Sequence, residues 1–345
     1  MGGRVLAARL ALAFSLLAVC GASGNSWAGA TFDAVKARGY VQCGVNVGLA
    51  GFSSPDSAGS WTGLDVDICR AVAAVMFGDV TKVKFMPLST QQRFTALQSG
   101  EVDLLSRNTT WTLQRDTSNG MHFAPVTFYD GQGFLVAKKL GVKTAIELNG
   151  ATVCVQTGTT TELNLSDYFR AHGITFKPVV IEALSEVSHA FFSGRCDAYT
   201  SDTSQLASIR AVDAPNPEDY IILPELISKE PLAPAVRHGD DQWFDLVRWT
   251  VYALLEAEEK GIGSKNVDKA LASPDPTIQR MLGVQPGMGR ALGVDERWAY
   301  NAIRLVGNYG EIFERTVGKY SPLRLDRGLN ALWTQGGLMY APPIR

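Results

Sequence analysis

The chain has 345 residues, which is enough for two domains of ordinary size. A hydrophobic content of 46% with 19% charged residues is typical of a soluble globular protein. The formal net charge of −2 argues against a nucleic-acid-binding protein, because such proteins usually carry a strongly basic surface.

The N-terminus has the pattern of a secretory signal peptide. Two arginines precede an apolar stretch at residues 10–19, and small residues follow it, with cleavage expected after Ala28 or Ala30. The apolar stretch is too short to cross a membrane, and no later run reaches the roughly 18 apolar residues that a membrane helix needs. We therefore expect residues 1–28 to be removed from an exported protein.

Four cysteines remain after this cleavage: Cys43, Cys69, Cys154 and Cys196. An even number in an exported chain indicates disulfide bonds, and four cysteines allow three connectivities. Each half of the chain has one cysteine in its first predicted strand and one further along, which favours Cys43–Cys69 and Cys154–Cys196. Free buried thiols are the alternative. Lipidation of Cys20 is disfavoured, because Val19 before it is larger than the residue that normally precedes a lipidated cysteine.

The chain alternates predicted strands with helices in two similar halves. The predicted elements of the first half are a helix at 31–39, a strand at 40–45, a helix at 61–77, a strand at 82–88 and a helix at 91–99. Those of the second half are a short helix at 145–148, a strand at 152–155, a helix at 162–172, a strand at 176–181 and a helix at 182–192. This alternation predicts α/β units around parallel sheets.

The remaining C-terminal part is predicted to be mainly helical. A strong amphipathic helix is predicted at 243–260, and residues 261–345 contain many glycines between further helices, predicted at 298–307, 309–317 and 325–335.

A polar segment at residues 106–116 follows the apolar strand predicted at 102–105. A helix that began near Thr112 would present unpaired amides to an anion, and Arg115 would bind a carboxylate through two parallel hydrogen bonds. The alternative is structural, because Asn and Thr often cap helices and arginines mostly lie on the surface.

Two segments of the second half have related chemistry. The loop at residues 156–162 places Thr159 and Thr160 at the start of a predicted helix, a pattern that also suits a turn with a helix cap. Asp202 ends a predicted strand, which is where open α/β sheets bind ligands, but it is equally placed to cap the next helix. The sequence contains no metal-binding signature, phosphate loop or G-x-S-x-G elbow.

Taken together, these motifs resemble those of periplasmic amino-acid-binding proteins, the receptors of polar amino-acid ABC importers. The resemblance covers about residues 31–260 and rests on Gly63–Asp67, on Asn108–Thr110 with Arg115, on Gly158–Thr160 and on Ser201–Asp202. The long tail is similar to that of the general L-amino-acid-binding branch. The resemblance implies an α/β fold of type II, with two lobes that close on the ligand and a helical C-terminal extension. We assign residues 31–136 and 232–345 to lobe 1 with its extension, and residues 137–231 to lobe 2.

The resemblance also implies roles for the site residues. Arg115 would bind the α-carboxylate of an amino acid, with the hydroxyl and amide of Thr110 and the amide of Thr160, and Thr159 lies in the same loop. Asp202 would accept the α-ammonium, with the carbonyl of Asn108 and the hydroxyl of Thr110. Such a zwitterion needs fixed donors on one side and fixed acceptors on the other, because buried charges are tolerated only when paired.

Two positions depart from the pattern or leave it open. Arg93 matches an arginine that glutamate and aspartate receptors use for the side-chain carboxylate, although a solvated helix residue is an equal alternative. The second arginine of those receptors falls near Asn46 here. Leu49 stands where several relatives stack an aromatic ring on the ligand, so Phe52, Trp61 or Trp111 takes that role, or no residue does.

The expected function is that of a periplasmic receptor for polar L-amino acids, with glutamate, glutamine, aspartate and asparagine as the first candidates. It would deliver them as a monomer to the inner-membrane permease of an ABC importer, without a cofactor. The alternative is a hydro-lyase of the cyclohexadienyl dehydratase type, in which Asp202 or Glu162 would serve as the general acid or base. A sensory module is less favoured, because no tethering helix or signalling domain is recognised in the sequence.

Overall fold

The computed structural model describes residues 29–345. The expected signal peptide at residues 1–28 lies outside this part of the chain. Within residues 29–345, no helix has the length and apolar character required to cross a membrane.

The first lobe is built on a mixed five-stranded sheet. Its strands lie in the order Val83–Pro87, Val41–Val45, Leu104–Leu105, Ala235–Arg237 and Met121–Phe123. The first three are parallel, and the fourth is antiparallel to both of its neighbours. The helices of this lobe are Ala30–Arg38, Leu64–Phe77, Gln92–Ser99 and Leu113–Thr117, and a small hairpin pairs Ser54–Pro55 with Trp61–Thr62.

The second lobe repeats this plan. Its strands lie in the order Lys177–Ile181, Thr152–Gln156, Ala198–Asp202, Gln132–Ala137 and Tyr220–Ile222. Again the first three are parallel and the fourth is antiparallel to its neighbours. The α-helices are Thr160–Ala171, Leu184–Phe192 and Thr203–Val212, with short 3₁₀ turns at Lys138–Leu140, Ala145–Leu148 and Pro217–Asp219. The two predicted halves are therefore two lobes of the same architecture.

Two antiparallel strands, Phe128–Asp130 and Glu230–Leu232, connect the lobes. The strand Gln132–Ala137 belongs to the sheet of the second lobe. The boundary expected after residue 136 therefore cuts this strand, and the sheet pairing places it near Gly131 instead. The error has a physical cause, because an apolar run predicts burial without specifying the partner strand.

The C-terminal region packs on the first lobe. Its α-helices are Asp241–Glu259, Val267–Ala270, Pro276–Met281, Met288–Leu292, Trp298–Val306 and Tyr309–Thr316. Trp298–Val306 lies against Leu64–Phe77, and both belong to the main hydrophobic core. The helix predicted at residues 325–335 is wrong, because this segment forms only the 3₁₀ turns Gly328–Asn330 and Trp333–Gln335.

Each lobe contains one disulfide bond. Cys43 is linked to Cys69, and Cys154 to Cys196. These are the two pairings that the placement of the cysteines favours. They close segments of 26 and 42 residues, and loop closure of this size stabilises a fold by about 3–4 kcal/mol. Neither bond crosses between the lobes.

Candidate functional site

The candidate site is a cleft between the two lobes, at the ends of their sheets. Its empty volume, including the part open to solvent, is about 310 Å³. The residues that line it are mainly polar and come from both lobes: Thr90, Arg93, Arg107, Asn108, Thr110, Arg115, Gln156, Thr159, Thr160, Thr161, Ser201, Asp202 and Gln205. Seven of the eight expected ligand-binding residues are among them; Leu49 is not.

Arg115 reaches the cleft from the short helix Leu113–Thr117. Thr112 caps this helix by accepting a hydrogen bond from the Arg115 amide at 3.2 Å. The guanidinium donates from Nη1 to the Thr110 carbonyl at 2.8 Å and packs over the ring of Phe94 at 5.2 Å. The helix begins at Leu113, as the sequence predicts, and the Thr112 cap bonds one of its first-turn amides, so the binding of an anion by the remaining amides stays a prediction. The positive charge that this segment offers to an anion in the cleft is that of the Arg115 guanidinium.

Arg93 is buried in the cleft, so the alternative of a solvated helix residue is wrong. Its Nη2 donates to the carbonyl of Gly158 in the second lobe at 3.2 Å, and its Nη1 donates to Thr109 Oγ1 at 3.4 Å. Its Nε is buried and has no hydrogen-bond partner among residues 29–345. Burial lowers the pKa of Arg93, and the nearby charges of Arg107 and Arg115 lower it further. A bound anion beside the Arg93 guanidinium would favour its charged form and so oppose this lowering of its pKa.

Arg107 is a third arginine of the cleft, and sequence reasoning missed it. Its side chain is buried, and its Nε donates to the Leu88 carbonyl at 2.9 Å, whereas Nη2 has no partner in the described part of the chain. Burial lowers the pKa of Arg107 to about 10, although Asp65 opposes this. The available signal was an arginine at the second position of the polar segment, two residues after the buried strand Leu104–Leu105.

Asp202 occupies the N-cap position of the helix Thr203–Val212, yet its side chain makes no capping hydrogen bond. Asp130 supplies the cap instead, accepting from Thr203 Oγ1 at 2.6 Å and from the Ser204 amide at 3.2 Å. Asp202 therefore lines the cleft and is only 6% exposed. Burial raises the pKa of Asp202 well above its usual range, with further repulsion from Asp130 and Glu230.

Asn108 is held in an unusual backbone conformation, with a positive φ of 33°. Its amide donates to Asp65 Oδ2 at 2.8 Å, and its side-chain oxygen accepts from Asn46 Nδ2 at 2.9 Å. Asp65 also accepts from Ser106 Oγ at 3.2 Å, and burial raises the pKa of Asp65 to about 6 despite these bonds. Asp65 thus fixes the turn that carries Asn108 to the cleft.

Glu230, on the connecting strand Glu230–Leu232, is the second residue that sequence reasoning missed. Its Oε2 accepts from Thr110 Oγ1 at 2.6 Å and from Thr160 Oγ1 at 2.7 Å. Its Oε1 accepts from Asn164 Nδ2 at 2.8 Å and from Ser228 Oγ at 2.6 Å. With their protons given to Glu230, the two threonine hydroxyls present oxygen lone pairs to the cleft. In this arrangement the Thr110 hydroxyl suits an ammonium and not a carboxylate.

The two threonines in the loop at residues 156–162 of the second lobe, Thr159 and Thr160, have different roles. Thr159 acts as a helix cap, accepting from the Glu162 amide at 3.1 Å and donating to the Gln156 carbonyl at 2.6 Å. Glu162 folds back to accept from the Gly158 amide at 3.0 Å, and it does not line the cleft. The capping alternative therefore describes Thr159 and Glu162, whereas Thr160 contacts Glu230.

Leu49 is a residue of the hydrophobic core and does not border the cleft. Phe52 packs edge-on against Phe128 with centroids 5.4 Å apart, and Trp111 stacks on Phe123 at 5.9 Å. None of the described residues that line the cleft is aromatic. The expected place of Leu49 beside the ligand is therefore wrong, because its loop turns inward through a bridge between Leu49 and Ser53.

The lobes contact each other around the cleft. Ser89 Oγ donates to Glu182 Oε1 at 2.9 Å, and Ser208 Oγ donates to the Ala50 carbonyl at 2.9 Å. Together with the bond from Arg93 to Gly158, these contacts hold the lobes in a closed arrangement.

Comparison with known proteins agrees with this architecture. Residues 41–268 match the bacterial extracellular solute-binding proteins, family 3. The chain belongs to this family. It is 59% identical to the general L-amino acid-binding periplasmic protein of Rhizobium johnstonii over 97% of this chain and 98% of that one. It is 53% identical to the glutamate/glutamine/aspartate/asparagine-binding protein of Rhodobacter capsulatus, over 96% and 98% of the two chains.

A solved structure is also similar over nearly its whole length. It is an ABC transporter periplasmic binding protein from Brucella ovis with glutathione bound, which is 55% identical and has a TM-score of 0.90. The match covers 91% of this chain and 99% of the other. The two-lobed type II fold is thus shared with a binding protein of known structure.

Proposed function

We propose that this protein is a periplasmic receptor that captures polar L-amino acids between its lobes and delivers them to the permease of an ABC importer. The observation that carries the proposal is the closed cleft in which Arg115 and Asp202, from opposite lobes, are both buried. A zwitterion satisfies both groups at once, because its carboxylate pairs with the arginine and its ammonium with the aspartate.

The orientation of the ligand follows from these charges. Arg115 binds the α-carboxylate, and Asp202 accepts the α-ammonium together with the oxygens of Thr110 and Asn108. Because every L-amino acid carries these two groups, the contacts favour broad specificity. The similarity to the general L-amino acid-binding protein of Rhizobium johnstonii supports this breadth.

The preference for glutamate, glutamine, aspartate and asparagine rests on the two remaining arginines. Within the residues that the structure describes, Arg93 and Arg107 each keep a buried donor without a partner, Nε and Nη2 respectively. A side-chain carboxylate or amide oxygen supplies an acceptor for such donors, and an aliphatic side chain does not. The name of the Rhodobacter capsulatus relative contains the same four amino acids.

A peptide with a γ-glutamyl group is a further ligand to test. The Brucella ovis protein binds glutathione in its solved structure, and the γ-glutamyl end of glutathione keeps a free α-carboxylate and α-ammonium. The same contacts to Arg115 and Asp202 would serve this end of the peptide.

The export and transport parts of the proposal rest on the relatives and on the N-terminal sequence. The Rhizobium johnstonii relative is periplasmic, and residues 1–28 have the pattern of a signal peptide. We propose that the mature protein acts as a monomer, because one chain supplies both walls of the cleft.

A thermal-shift screen of the mature, ligand-stripped protein tests the proposal. The panel contains the twenty L-amino acids, D-glutamate, glutathione and prephenate. A ligand at 100 times its Kd adds about 2.7 kcal/mol of stability, so the four named amino acids should raise the melting temperature and D-glutamate should not. No shift with any amino acid would overturn the proposal. In a separate assay of product formation, conversion of prephenate to a new product would favour the dehydratase instead.

A further inference from the structure

A second cluster of functional side chains lies outside the cleft, on the first lobe. Asp116 belongs to the helix Leu113–Thr117, His122 to the strand Met121–Phe123, and His238 follows the strand Ala235–Arg237. One potential ligand atom from each lies within 4.8 Å of the other two. None of the three lines the cleft, so amino-acid binding does not account for their convergence.

The backbone holds the two histidines side by side. His122 is paired with Val236 in the sheet, and the His238 amide donates to the Gly120 carbonyl at 2.9 Å. Their imidazole centroids are 4.1 Å apart. The two rings are therefore neighbours because of strand pairing and not through the rotation of two free surface side chains.

Asp116 is oriented by a separate contact. Trp111 Nε1 donates to Asp116 Oδ2 at 3.2 Å, and the other oxygen, Oδ1, lies 3.9 Å from His238 Nε2. A hydrogen bond that fixes one carboxylate oxygen while the other faces the ligand position is a common support for metal-binding carboxylates.

An ordinary ion pair between Asp116 and His238 explains the cluster less well. The 3.9 Å between Asp116 Oδ1 and His238 Nε2 is longer than a hydrogen bond, and such a pair would leave the adjacent ring of His122, with its centroid 4.1 Å from that of His238, without a role. The cluster thus offers imidazole lone pairs beside one carboxylate.

We propose that Asp116, His122 and His238 form a surface binding site for a divalent transition-metal ion of the zinc type. Two imidazole nitrogens and one carboxylate oxygen are a ligand set that Zn²⁺ prefers, and the cluster, in which His238 is exposed and the other two side chains are half-buried, leaves a further position for water. All three ligands belong to the first lobe, so the ion would tie the helix Leu113–Thr117 to the sheet without resisting lobe opening.

The chain offers a matched control, because it contains only four histidines. The other two, His172 and His189, are exposed on the second lobe, away from the cluster. The experiment compares untagged, chelator-treated mature protein with the variants His122→Ala/His238→Ala and His172→Ala/His189→Ala. Zn²⁺ binding is measured by calorimetry, Co²⁺ binding by its visible absorption, and folding without metal by circular dichroism.

The wild type and the His172/His189 variant should bind one Zn²⁺ with equal affinity, and Zn²⁺ should raise their melting temperature. Loss of two of three ligands should weaken binding by at least about 100-fold in the His122/His238 variant, with an unchanged circular dichroism spectrum. The single variant Asp116→Asn should also bind less tightly. Equal affinity of wild type and the His122/His238 variant, or no saturable binding by wild type in the micromolar range, would overturn the proposal.

Discussion

The carboxylate of Asp130 caps the helix Thr203–Val212, although Asp202 occupies the N-cap position of that helix. The two acids lie close enough that Asp130 raises the pKa of Asp202. By taking the capping role, Asp130 leaves the carboxylate of Asp202 free for the cleft. Asp202 is thus the acid available to the ligand, and Asp130 is the acid that caps the helix.

Replacing Asp130 with Ala should lower both stability and ligand affinity. Loss of a helix cap costs about 1 kcal/mol, and Asp202 would then turn to bond the free amides of its own helix. Urea denaturation and calorimetry measure the two effects. Asn216→Ala is the matched control, because Asn216 caps the turn Pro217–Asp219 of the same lobe outside the cleft. That variant should keep its affinity, and an Asp130→Ala protein with wild-type affinity would contradict the separation of roles.

Amino-acid binding should release protons from the protein. Burial in the closed cleft raises the pKa of Asp202 above its ordinary 3.8, and a bound ammonium favours the ionised form. At a pH between the pKa values of Asp202 before and after binding, the carboxyl of Asp202 therefore releases a proton when the ligand binds. The affinity for the ligand rises with pH over this range. Calorimetry in buffers of different ionisation enthalpy counts the protons. Proton uptake, or no exchange, would show that Asp202 does not pair with the ammonium.

The same pKa shift affects stability in the opposite sense. With Asp202 buried in the closed cleft, the folded state binds a proton that the unfolded chain releases. The contribution of Asp202 to the free energy of unfolding therefore falls as pH rises from 3.8 towards the folded-state pKa. Asp202→Asn removes this titration. The ligand-free variant should therefore lose less stability than wild type over that pH range, as measured by urea denaturation.

Arg115→Met should reduce the affinity for every amino acid. The change keeps bulk but removes the partner of the α-carboxylate, for an expected loss of at least about 100-fold, or 2.7 kcal/mol. Arg115→Lys should also bind poorly, because an ammonium does not reproduce two parallel hydrogen bonds. Arg170→Met, at an exposed arginine of the second lobe, is the control. Near wild-type titration curves for Arg115→Met would remove Arg115 from the site.

Arg93→Ala should weaken glutamate and aspartate more than glutamine and asparagine. All four ligands should lose the contribution of the contact between Arg93 and Gly158, which joins the lobes. The acidic ligands should lose in addition a charge-assisted hydrogen bond of about 1.5–3 kcal/mol. Calorimetric Kd values for the four ligands test this, with the exposed Gln98→Ala of the same helix as control. Equal losses of affinity for all four ligands would mean that Arg93 contributes to closure of the lobes and does not contact the side chain of the ligand.

The sequence was sufficient to predict most of the fold. The alternation of predicted strands and helices located the parallel units of both lobes, including the strands Leu104–Leu105 and Ala198–Asp202, which are third in their sheets. The tail at residues 325–335 was predicted wrongly because Asn330 bonds to the amide and carbonyl of Tyr129. Such contacts over a long sequence separation compete with helix formation and are invisible to local patterns.

The site could be predicted only in part. Arg115 and Asp202 lie in recognisable motifs, but Glu230 stands beside a proline in a connecting segment, where an acid is ordinarily solvated. Its burial depends on the closure of both lobes around Thr110 and Thr160. The inward turn of Leu49 likewise depends on core packing that no spacing rule encodes.

A crystal structure of the mature protein with L-glutamate tests the central claim most directly. The α-carboxylate should lie within about 3.2 Å of the Arg115 guanidinium, with the α-ammonium beside Asp202 and the Thr110 hydroxyl oxygen. The side-chain carboxylate should approach Arg93 or Arg107. A ligand bound outside this cleft, or bound with its ammonium directed away from Asp202, would contradict the account.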